Sequence, residues 1–416
     1  MIEIPGEQLY DSIFIARQPI FTAKMHVWGY ELLFRHGGNA REAIIVDGDQ
    51  ATTQVIADGF GLAVQGMRKG TKALINFPRN VLVGAAPYVL PPERCVVEIL
   101  ETVLPEAEVL QACQKLKSKG YLLALDDFVG DPGFEPLCEL ADIVKVDILH
   151  KTPAQVAAIV NGLSKYKTVL LAEKVENQQM FTVCKKLGFT FFQGYFFSRP
   201  EIIPGRKLSS SQTSKIKLLK ELSNTEAELS RLVEIIQTDL SISYRLLRYI
   251  NSARFGLRGK IESIQRAAAM LGHQNLRQWL QIVILSDVNT TDKAQELVRI
   301  SVQRGYFLQL LAAARPTPFD RDGMFLLGLF SVLDAILDQR MIQILDEIPL
   351  DGAIKSALVN ADDPNAVWLG LVNAIDRGNW AELDQRSAAL GIPLALVDSL
   401  SAEAFVWADE VMGSGA

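Results

Sequence analysis

Through its first 200 residues, the chain alternates short apolar runs, rich in β-branched residues, with segments of helical period. In the segment 106–119, Leu110, Cys113 and Leu116 recur at helical spacing before a glycine ends the pattern. Strands that alternate with helices predict βαβ units and a parallel sheet. Many such units in about 200 residues favour a closed (β/α)8 barrel over a doubly wound open sheet, although periodicity alone does not close a barrel. The predicted strands are 13–20, 72–77, 95–100, 121–125, 143–146, 168–172 and 190–197.

The pattern changes after Pro200. A Pro-Gly pair and a serine-rich stretch predict a linker at about 201–215. Beyond it, apolar residues recur at helical spacing almost to the end of the chain, as in Leu229, Leu232, Val233 and Ile236. The sequence therefore predicts two domains, an α/β domain over 1–205 and an all-α domain over 206–416.

Polar side chains stand where the apolar runs of the first half end. In a (β/α) barrel, these strand ends meet at one mouth, where active sites are built. Carboxylate and amide oxygens are ligands that suit Mg²⁺ or Mn²⁺, and a nearby lysine could hold an attacking water or stabilise a phosphate. One such carboxylate alone is more often a helix cap or a surface charge, so the prediction of metal-assisted phosphodiester hydrolysis depends on the whole set. The set is Glu31, Asn76, Glu98, Asp126, Asp127, Lys145, Glu173 and Gln193.

Seven segments in the first 205 residues resemble the EAL domain, a family of (β/α)8 barrels that bind and hydrolyse cyclic di-GMP. They occur in the family's order and cover the whole half. The segments are YELLFR at 30–35, INF at 75–77, VEILE at 97–101, LDDF at 125–128, VKVD at 144–147, AEKVE at 172–176 and QGY at 193–195.

The resemblance implies a role for each matching residue. Lys145 matches the lysine that positions the nucleophilic water, and Glu173 and Gln193 match further positions that contact metal or water. Arg35 matches the arginine that grips a substrate phosphate, and Glu176 matches a residue at the rim. Glu101 matches the glutamate that anchors the loop after the Asp-Asp pair. The metal ligands by this match are Glu31, Asn76, Glu98, Asp126 and Asp127.

The chain also departs from the EAL pattern. The name motif reads ELL at 31–33, and Lys174 replaces the glycine that follows the first of two glutamates. The loop after Asp127 reads FVGDPGFEP at 128–136, where the family has a Gly-Thr-Gly pattern. In active members that loop couples metal binding to dimerisation. The departures favour either a slow hydrolase or a nucleotide sensor, and they leave a homodimer open.

The second half resembles the HDOD domain in three stretches, DLSIS at 239–243, LLRYINS at 246–252 and LGHQNLR at 271–277. HDOD domains are similar to HD phosphohydrolases, whose metal site needs a His-Asp pair. This half contains one histidine, His273, and no His-Asp pair. The resemblance therefore implies a non-catalytic module that engages a protein partner, in a bacterial two-domain signalling protein that regulates motility or biofilm formation.

Charge and composition narrow the class of partner. The net charge is −6 with 22% charged residues, which argues against a binder of nucleic-acid polymers. The longest apolar run, 324–333, is too short to cross a bilayer, and the acidic N-terminus is unlike a signal peptide. The four cysteines form no CxxC motif, which is typical of inert thiols in a cytosolic protein. We therefore expect a cytoplasmic protein that does not bind membranes.

Three functions remain open at this point. The first is hydrolysis of cyclic di-GMP to linear pGpG by two Mg²⁺ or Mn²⁺ ions at the barrel mouth. The second is a catalytically inactive EAL barrel that senses the nucleotide while the HDOD domain engages a partner. The third is a scaffold in which both domains mediate only protein contacts.

Overall fold

The computed structural model describes residues 13–36, 60, 64, 67, 70–199, 210–223, 228–257, 259–346 and 348–413. Its first half is a closed barrel in which the eight strands follow chain order. The strands are β1 Ile13–Thr22, β2 Val27–His36, β3 Lys72–Phe77, β4 Cys95–Ile99, β5 Leu122–Leu125, β6 Ile143–Asp147, β7 Val169–Glu173 and β8 Phe191–Phe192. The predicted fold class, a barrel followed by an all-helical half, is confirmed.

One strand departs from the predicted parallel sheet. Strands β2 to β8 run parallel to one another, whereas β1 is antiparallel to both of its neighbours, β2 and β8. The reason is the short link between β1 and β2, a hairpin turn in which Met25 has a φ of +62°. A connection this short joins antiparallel strands, because a parallel pair needs a crossover of a dozen residues or more. The apolar runs also missed β2 as a strand of its own.

The last predicted strand, 190–197, is wrong beyond Phe192. Gly194 has a φ of +137°, a conformation that only glycine adopts readily, and the chain then forms a short 3₁₀ helix at Tyr195–Ser198. A Cβ at Gly194 would lie 2.3 Å from the backbone nitrogen of Val175. The turn therefore depends on a close approach of two backbones that apolar patterning does not reveal.

The barrel interior follows the two-residue period of its strands. A floor of inward apolar side chains is formed by Ile20, Leu74, Val96, Ala124, Ile143, Leu171 and Phe191. Two residues nearer the mouth, on the same faces, the sequence places polar side chains. These are Gln18, Asn76, Glu98, Asp126, Lys145, Glu173 and Gln193. The alternation thus puts one polar layer directly above a dry floor.

Helices surround the barrel and build the second half. The barrel helices are α1 Arg79–Val83, α2 Ala107–Ser118, α3 Glu135–Leu140, α4 Pro153–Leu163 and α5 Gln178–Lys186, with 3₁₀ turns at Ala86–Val89 and Pro132–Phe134. The predicted helix over 106–119 is α2, and it ends before Gly120, whose φ is +88°. The helix α6, Ser210–Leu222, begins inside the predicted linker, while 200–209 lie outside the described residues.

The helical half continues with eleven more described helices. They are α7 Leu229–Thr238, α8 Leu240–Ile250, α9 Ile264–Val288, α10 Asp292–Ala314, α11 Arg321–Leu329, α12 Leu333–Leu337, α13 Met341–Asp346, α14 Gly352–Val359, α15 Val367–Asp376, α16 Trp380–Ala389 and α17 Leu394–Gly413, with 3₁₀ turns at Ala253–Phe255 and Pro364–Ala366. Gly272 interrupts α9 with a φ of +75°.

The two halves share apolar cores. Phe21 and Phe197 of the barrel are buried with the first helices of the second half, and Ala16 is buried with α10, α15 and α17. The barrel has a further core between its strands and its helices. Among the described helices, no single one is long and apolar enough to cross a membrane. The sharply bent pair of α16 and α17 together reaches that length and apolar composition.

Candidate metal centre at the barrel mouth

Lys145 stands at the centre of the barrel mouth, and its side chain is 1% exposed. Its ammonium group donates to Asp126 at 2.8 Å and also contacts Glu98, which is fully buried. Carboxylate oxygens of Glu173 and Glu31 lie 2.9 and 3.5 Å away. Four strands thus direct carboxyl groups at one cation. At an effective dielectric of about 20, two like charges 4 Å apart repel by roughly 4 kcal/mol, so this acidic cluster needs positive charge to form.

Burial and the acidic cluster shift the pKa values of the groups involved. Burial raises the pKa of Glu98 and of Glu173 well above the usual value. Burial alone would lower the pKa of Lys145, but the carboxyl groups of Glu173, Glu31, Glu98 and Asp126 raise it well above its usual value. For Asp126, burial acts to raise the pKa, and the charge and hydrogen bond of Lys145 outweigh it and lower the value. Lys145 therefore stays charged and holds Asp126 ionised.

Five oxygen atoms at this mouth accept no hydrogen bond from any residue that the structure describes. They are Asn76 Oδ1, Glu98 Oε2, Asp127 Oδ1, Glu173 Oε2 and Gln193 Oε1. A buried acceptor without a partner costs about 1–3 kcal/mol, so five in one place call for a ligand that supplies positive charge. Carboxylate oxygens of Asp126, Asp127 and Glu173 also lie within 4.8 Å of one another. Hard oxygen donors at this spacing fit a divalent cation such as Mg²⁺ or Mn²⁺.

Glu31 and Gln193 complete the predicted set on the side of β1. Gln193 donates to Glu31 Oε2 at 2.6 Å, and Asn76 donates to Glu31 Oε1 at 3.4 Å. The same Gln193 amide donates to Gln18 at 2.8 Å. Gln18 was not among the predicted residues. The two-residue period of the strand does indicate that Gln18 faces the mouth. Gln18 precedes the floor residue Ile20 by two positions, and β1 runs in the reverse direction.

Asp127 and Lys174 occupy strained positions side by side. Their φ angles are +40° and +53°, in the left-handed region where side chains other than glycine cost about 1–2 kcal/mol. The Lys174 ammonium lies 3.6 Å from Asp127 Oδ2 and donates to Asp147 at 2.6 Å. Lys174 therefore places a second cation beside a predicted metal ligand, at the position where the family has glycine.

The remaining predicted residues lie at or beyond the rim. Glu176 is exposed and lines the pocket. Glu101 is exposed, and no hydrogen bond or ion pair joins it to the loop after Asp127 within the described residues. That loop is held instead by Phe128, whose amide donates to the Lys145 carbonyl at 2.9 Å. Arg35 lies on β2, and its side chain lies outside the described residues.

The helical half supplies the opposite wall of the mouth. A cavity of about 490 Å³ lies between the polar layer of the barrel and residues of α10 and the end of α15. Arg304, only 3% exposed, donates to Asp376 at 2.7 Å, to Tyr195 at 2.6 Å and to Asn373 at 2.7 Å. The Arg377 guanidinium lies over the Tyr195 ring at 4.2 Å. Sequence patterning identified none of these helical residues, because it cannot predict how two domains face each other.

The family comparison agrees with this geometry. The EAL domain model matches residues 71–200, and the HDOD domain model matches residues 208–346. The cyclic di-GMP phosphodiesterase CdgJ of Vibrio cholerae is 36% identical over 410 residues, which cover 98% of this chain and 95% of that protein. The chain belongs to the EAL–HDOD family. The uncharacterized protein YuxH of Bacillus subtilis is 36% identical over 379 residues, which cover 88% of this chain and 91% of that protein.

Solved structures resemble the EAL half. A standalone EAL protein of Vibrio cholerae O395 in its c-di-GMP-bound form is 24% identical, with a TM-score of 0.37, over 45% of this chain and 92% of that chain. The Klebsiella pneumoniae protein BlrP1 in a manganese/cy-diGMP complex is 24% identical, with a TM-score of 0.39, over 46% of this chain and 56% of that chain. The helices beyond residue 346 follow the segment that the HDOD domain model matches.

Proposed function

We propose that the barrel hydrolyses cyclic di-GMP to the linear dinucleotide pGpG with the help of divalent cations. The observation that carries the proposal is the group of five unpartnered oxygens in the polar layer of the barrel. Three of their residues, Asp127, Glu173 and Gln193, line a cavity large enough for a small ligand. The name of the CdgJ relative, a cyclic di-GMP phosphodiesterase that matches nearly the whole chain, supports the substrate.

The cation ligands would be Glu31, Asn76, Glu98, Asp126, Asp127 and Glu173. Bound Mg²⁺ or Mn²⁺ would lower the pKa of an attacking water and neutralise charge on the phosphoryl oxygens. Lys145 stays protonated, keeps Asp126 ionised and holds the carboxylates together. Because its side chain is almost fully buried and its ammonium contacts Glu98, Asp126 and Glu173, Lys145 acts as a fixed positive charge. The Gln193 oxygen, which has no hydrogen-bond donor among the described residues, faces the same mouth and accepts from ligand or water.

A second candidate function is a nucleotide sensor without turnover. The observation that favours it is Lys174, whose ammonium lies 3.6 Å from Asp127 and competes with a cation for that carboxylate. The exposed position of Glu101, apart from the loop it was expected to anchor, points the same way. In this candidate the nucleotide binds at the mouth and the helical half transmits the signal.

The helical half acts in both candidates as a non-catalytic module that engages a protein partner. It contains a single histidine, His273. Within the described part of that half, no three acidic, histidine or cysteine side chains come close enough to share a metal ion. This chemistry supports an interaction module rather than a second hydrolase.

The test is the formation of pGpG from cyclic di-GMP by the whole chain with Mg²⁺ or Mn²⁺. We expect product from the wild type, about a thousandfold less from Asp126→Asn, and an unchanged rate from Glu234→Gln, an exposed acid of the helical half that is paired with Arg231. We expect Lys174→Gly to raise the rate at low Mn²⁺ concentration, because it removes the competing cation and restores the residue that tolerates a positive φ.

Absence of product from both the wild type and Lys174→Gly would contradict hydrolysis. Cyclic di-GMP binding under those conditions, measured by calorimetry, would establish the sensor. Absence of binding as well would leave the scaffold in which both domains mediate only protein contacts.

A further inference from the structure

The end of α15 is seated on the mouth of the barrel. A helix leaves its last carbonyl groups without intrahelical partners, and those of Asp376 and Arg377 point at β1. Gln18 donates to the Arg377 carbonyl at 2.6 Å and to the Asp376 carbonyl at 3.4 Å. Gly378 turns the chain away with a φ of +59°, and its amide donates to the Ile375 carbonyl at 3.0 Å.

From Gln18 the hydrogen bonds continue to a predicted metal ligand. The Gln18 oxygen accepts from Gln193 at 2.8 Å, and the same amide group of Gln193 donates to Glu31 Oε2 at 2.6 Å. Chemistry fixes the direction of this chain. Backbone carbonyls only accept, so the Gln18 amide nitrogen faces α15 and its oxygen faces Gln193. Gln193 must then present its nitrogen to both neighbours, which turns its own oxygen away from them, and that oxygen accepts nothing among the described residues.

A second contact fixes the same end of the barrel. Tyr195, two residues after Gln193, donates to Asn373 of α15 at 2.8 Å and accepts from Arg304 at 2.6 Å. Arg304 in turn holds Asp376 at 2.7 Å. The helical half therefore contacts both neighbours of Gln193. It binds Gln18, which is hydrogen-bonded to Gln193, and Tyr195, which follows Gln193 in the sequence.

We infer that the helical half is part of the cation site of the barrel: its carbonyls at 376 and 377, through the positioning residues Gln18 and Gln193, hold the Glu31 carboxylate in the orientation that binds a cation. This inference rests on the proposed function only in taking Glu31 as a cation ligand. Groups that orient a ligand in this way typically affect metal affinity by about 10–100-fold. Loosening the helical half therefore weakens cation binding, without any change to a ligand.

Two glycines, Gly378 and Gly391, allow a matched test of the contact between the end of α15 and the barrel. A Cβ at Gly378 would lie 2.3 Å from Cδ1 of Leu33 on β2, whereas a Cβ at Gly391 would meet nothing within 4 Å. Both glycines have a left-handed φ, +59° and +63°. Valine at either position carries similar backbone strain. The Cβ contact that displaces the Leu33 side chain arises only at Gly378, so the pair isolates the effect of that contact between the halves.

The experiment measures the Mn²⁺ affinity of the whole chain by electron paramagnetic resonance, with thermal unfolding as a check on folding. We expect Gly378→Val to weaken Mn²⁺ binding about tenfold and Gly391→Val to leave it unchanged. Gln18→Met keeps the length of the side chain but removes its three hydrogen bonds, to the carbonyls at 376 and 377 and from Gln193, and we expect it also to weaken binding about tenfold. The double variant of Gly378 and Gln18 should be no weaker than either single variant, because both interrupt one chain of contacts.

The outcomes separate this inference from the proposed function. Wild-type Mn²⁺ affinity in Gln18→Met, or a double variant weakened about a hundredfold, would overturn the inference whatever the enzyme does. If Gly378→Val fails to fold, Gln18→Met alone decides. Mn²⁺ binding by the wild type without pGpG formation would contradict hydrolysis, and the Mn²⁺ affinities of the Gln18 and Gly378 variants would still decide the inference. No Mn²⁺ binding by the wild type would overturn both.

Discussion

Lys145 of the barrel and Arg304 of the helical half are both buried cations, with side chains 1% and 3% exposed, and their surroundings differ. Arg304 donates to four side-chain oxygens that it satisfies, on Asp376, Ser331, Tyr195 and Asn373. Lys145 has more carboxylate around it than it can neutralise. Around it, oxygens of Glu98 and Glu173, among others, have no donor within the described residues.

The difference distinguishes a structural charge from a functional one. A buried ion pair whose partners are all satisfied holds two parts of a molecule together, as Arg304 holds the two halves. A buried cluster that keeps spare acceptors is incomplete without a ligand, because each unmade hydrogen bond costs free energy. This contrast supports the proposal of a binding site at the barrel mouth, whereas the contacts of Arg304 join the two halves.

The largest expected effect separates these two cations by replacing each with methionine. Lys145→Met leaves the four surrounding carboxyl groups without a cation, and Arg304→Met leaves Asp376 without its partner. Without divalent metal, we expect each variant to lose about 3–5 kcal/mol of unfolding free energy. Added Mn²⁺ should remove most of the difference in unfolding free energy between Lys145→Met and the wild type, because it replaces the missing charge and binds only the folded state. It should not close the gap for Arg304→Met.

Chemical denaturation in chelator and in excess Mn²⁺ measures both gaps. If the difference in unfolding free energy between Lys145→Met and the wild type is the same in both solutions, Mn²⁺ does not replace the charge of Lys145 at the mouth. An Arg304→Met gap that closes with Mn²⁺ would mean that the interface cluster is itself a metal site.

A smaller effect concerns Asp334, a partly buried acid of the helical half. Burial raises its pKa from 3.8 to about 6, although the Ala335 amide donates to it and Lys293 and Arg304 act to lower the value. The folded protein keeps this proton between about pH 4 and 6, where the unfolded chain has released it. The free energy of unfolding therefore falls as the pH rises through this window.

Replacement by asparagine tests the effect of Asp334. Each unit of pKa is worth about 1.4 kcal/mol, so we expect Asp334→Asn to be more stable than the wild type by up to about 3 kcal/mol at pH 8 and to show no such gain at pH 4. Asp362→Asn, at an exposed acid, serves as the control and should follow the wild type across the range. An Asp334→Asn gain that does not change with pH would contradict this account.

Much of the barrel and its mouth could be predicted from the sequence, because strand periodicity fixes which side chains face inward. Glu98 and Lys145 each stand two residues after an apolar floor residue, so their convergence follows from the pleat. The direction of β1 and the end of β8 could not be predicted. They depend on a hairpin at Met25 and on the contact of Gly194 with Val175, which apolar patterning does not encode.

The wall that the helical half gives to the cavity was beyond sequence patterning for a different reason. Arg304 and Arg377 look like ordinary polar residues of amphipathic helices, and only the packing of one domain on the other brings them to the mouth. The domain boundaries predicted at 205 and 206 stay a prediction, since the adjoining residues lie outside those that the structure describes.

We expect the unpartnered oxygens of the barrel mouth to form a divalent-cation site. Anomalous X-ray scattering from crystals grown with Mn²⁺ locates bound manganese. Strong peaks should lie within coordination distance of the carboxylates of Asp126, Asp127 and Glu173. A mouth without a peak, at an Mn²⁺ concentration that supports pGpG formation in solution, would rule out the site, and so would Mn²⁺ held only by residues elsewhere in the chain.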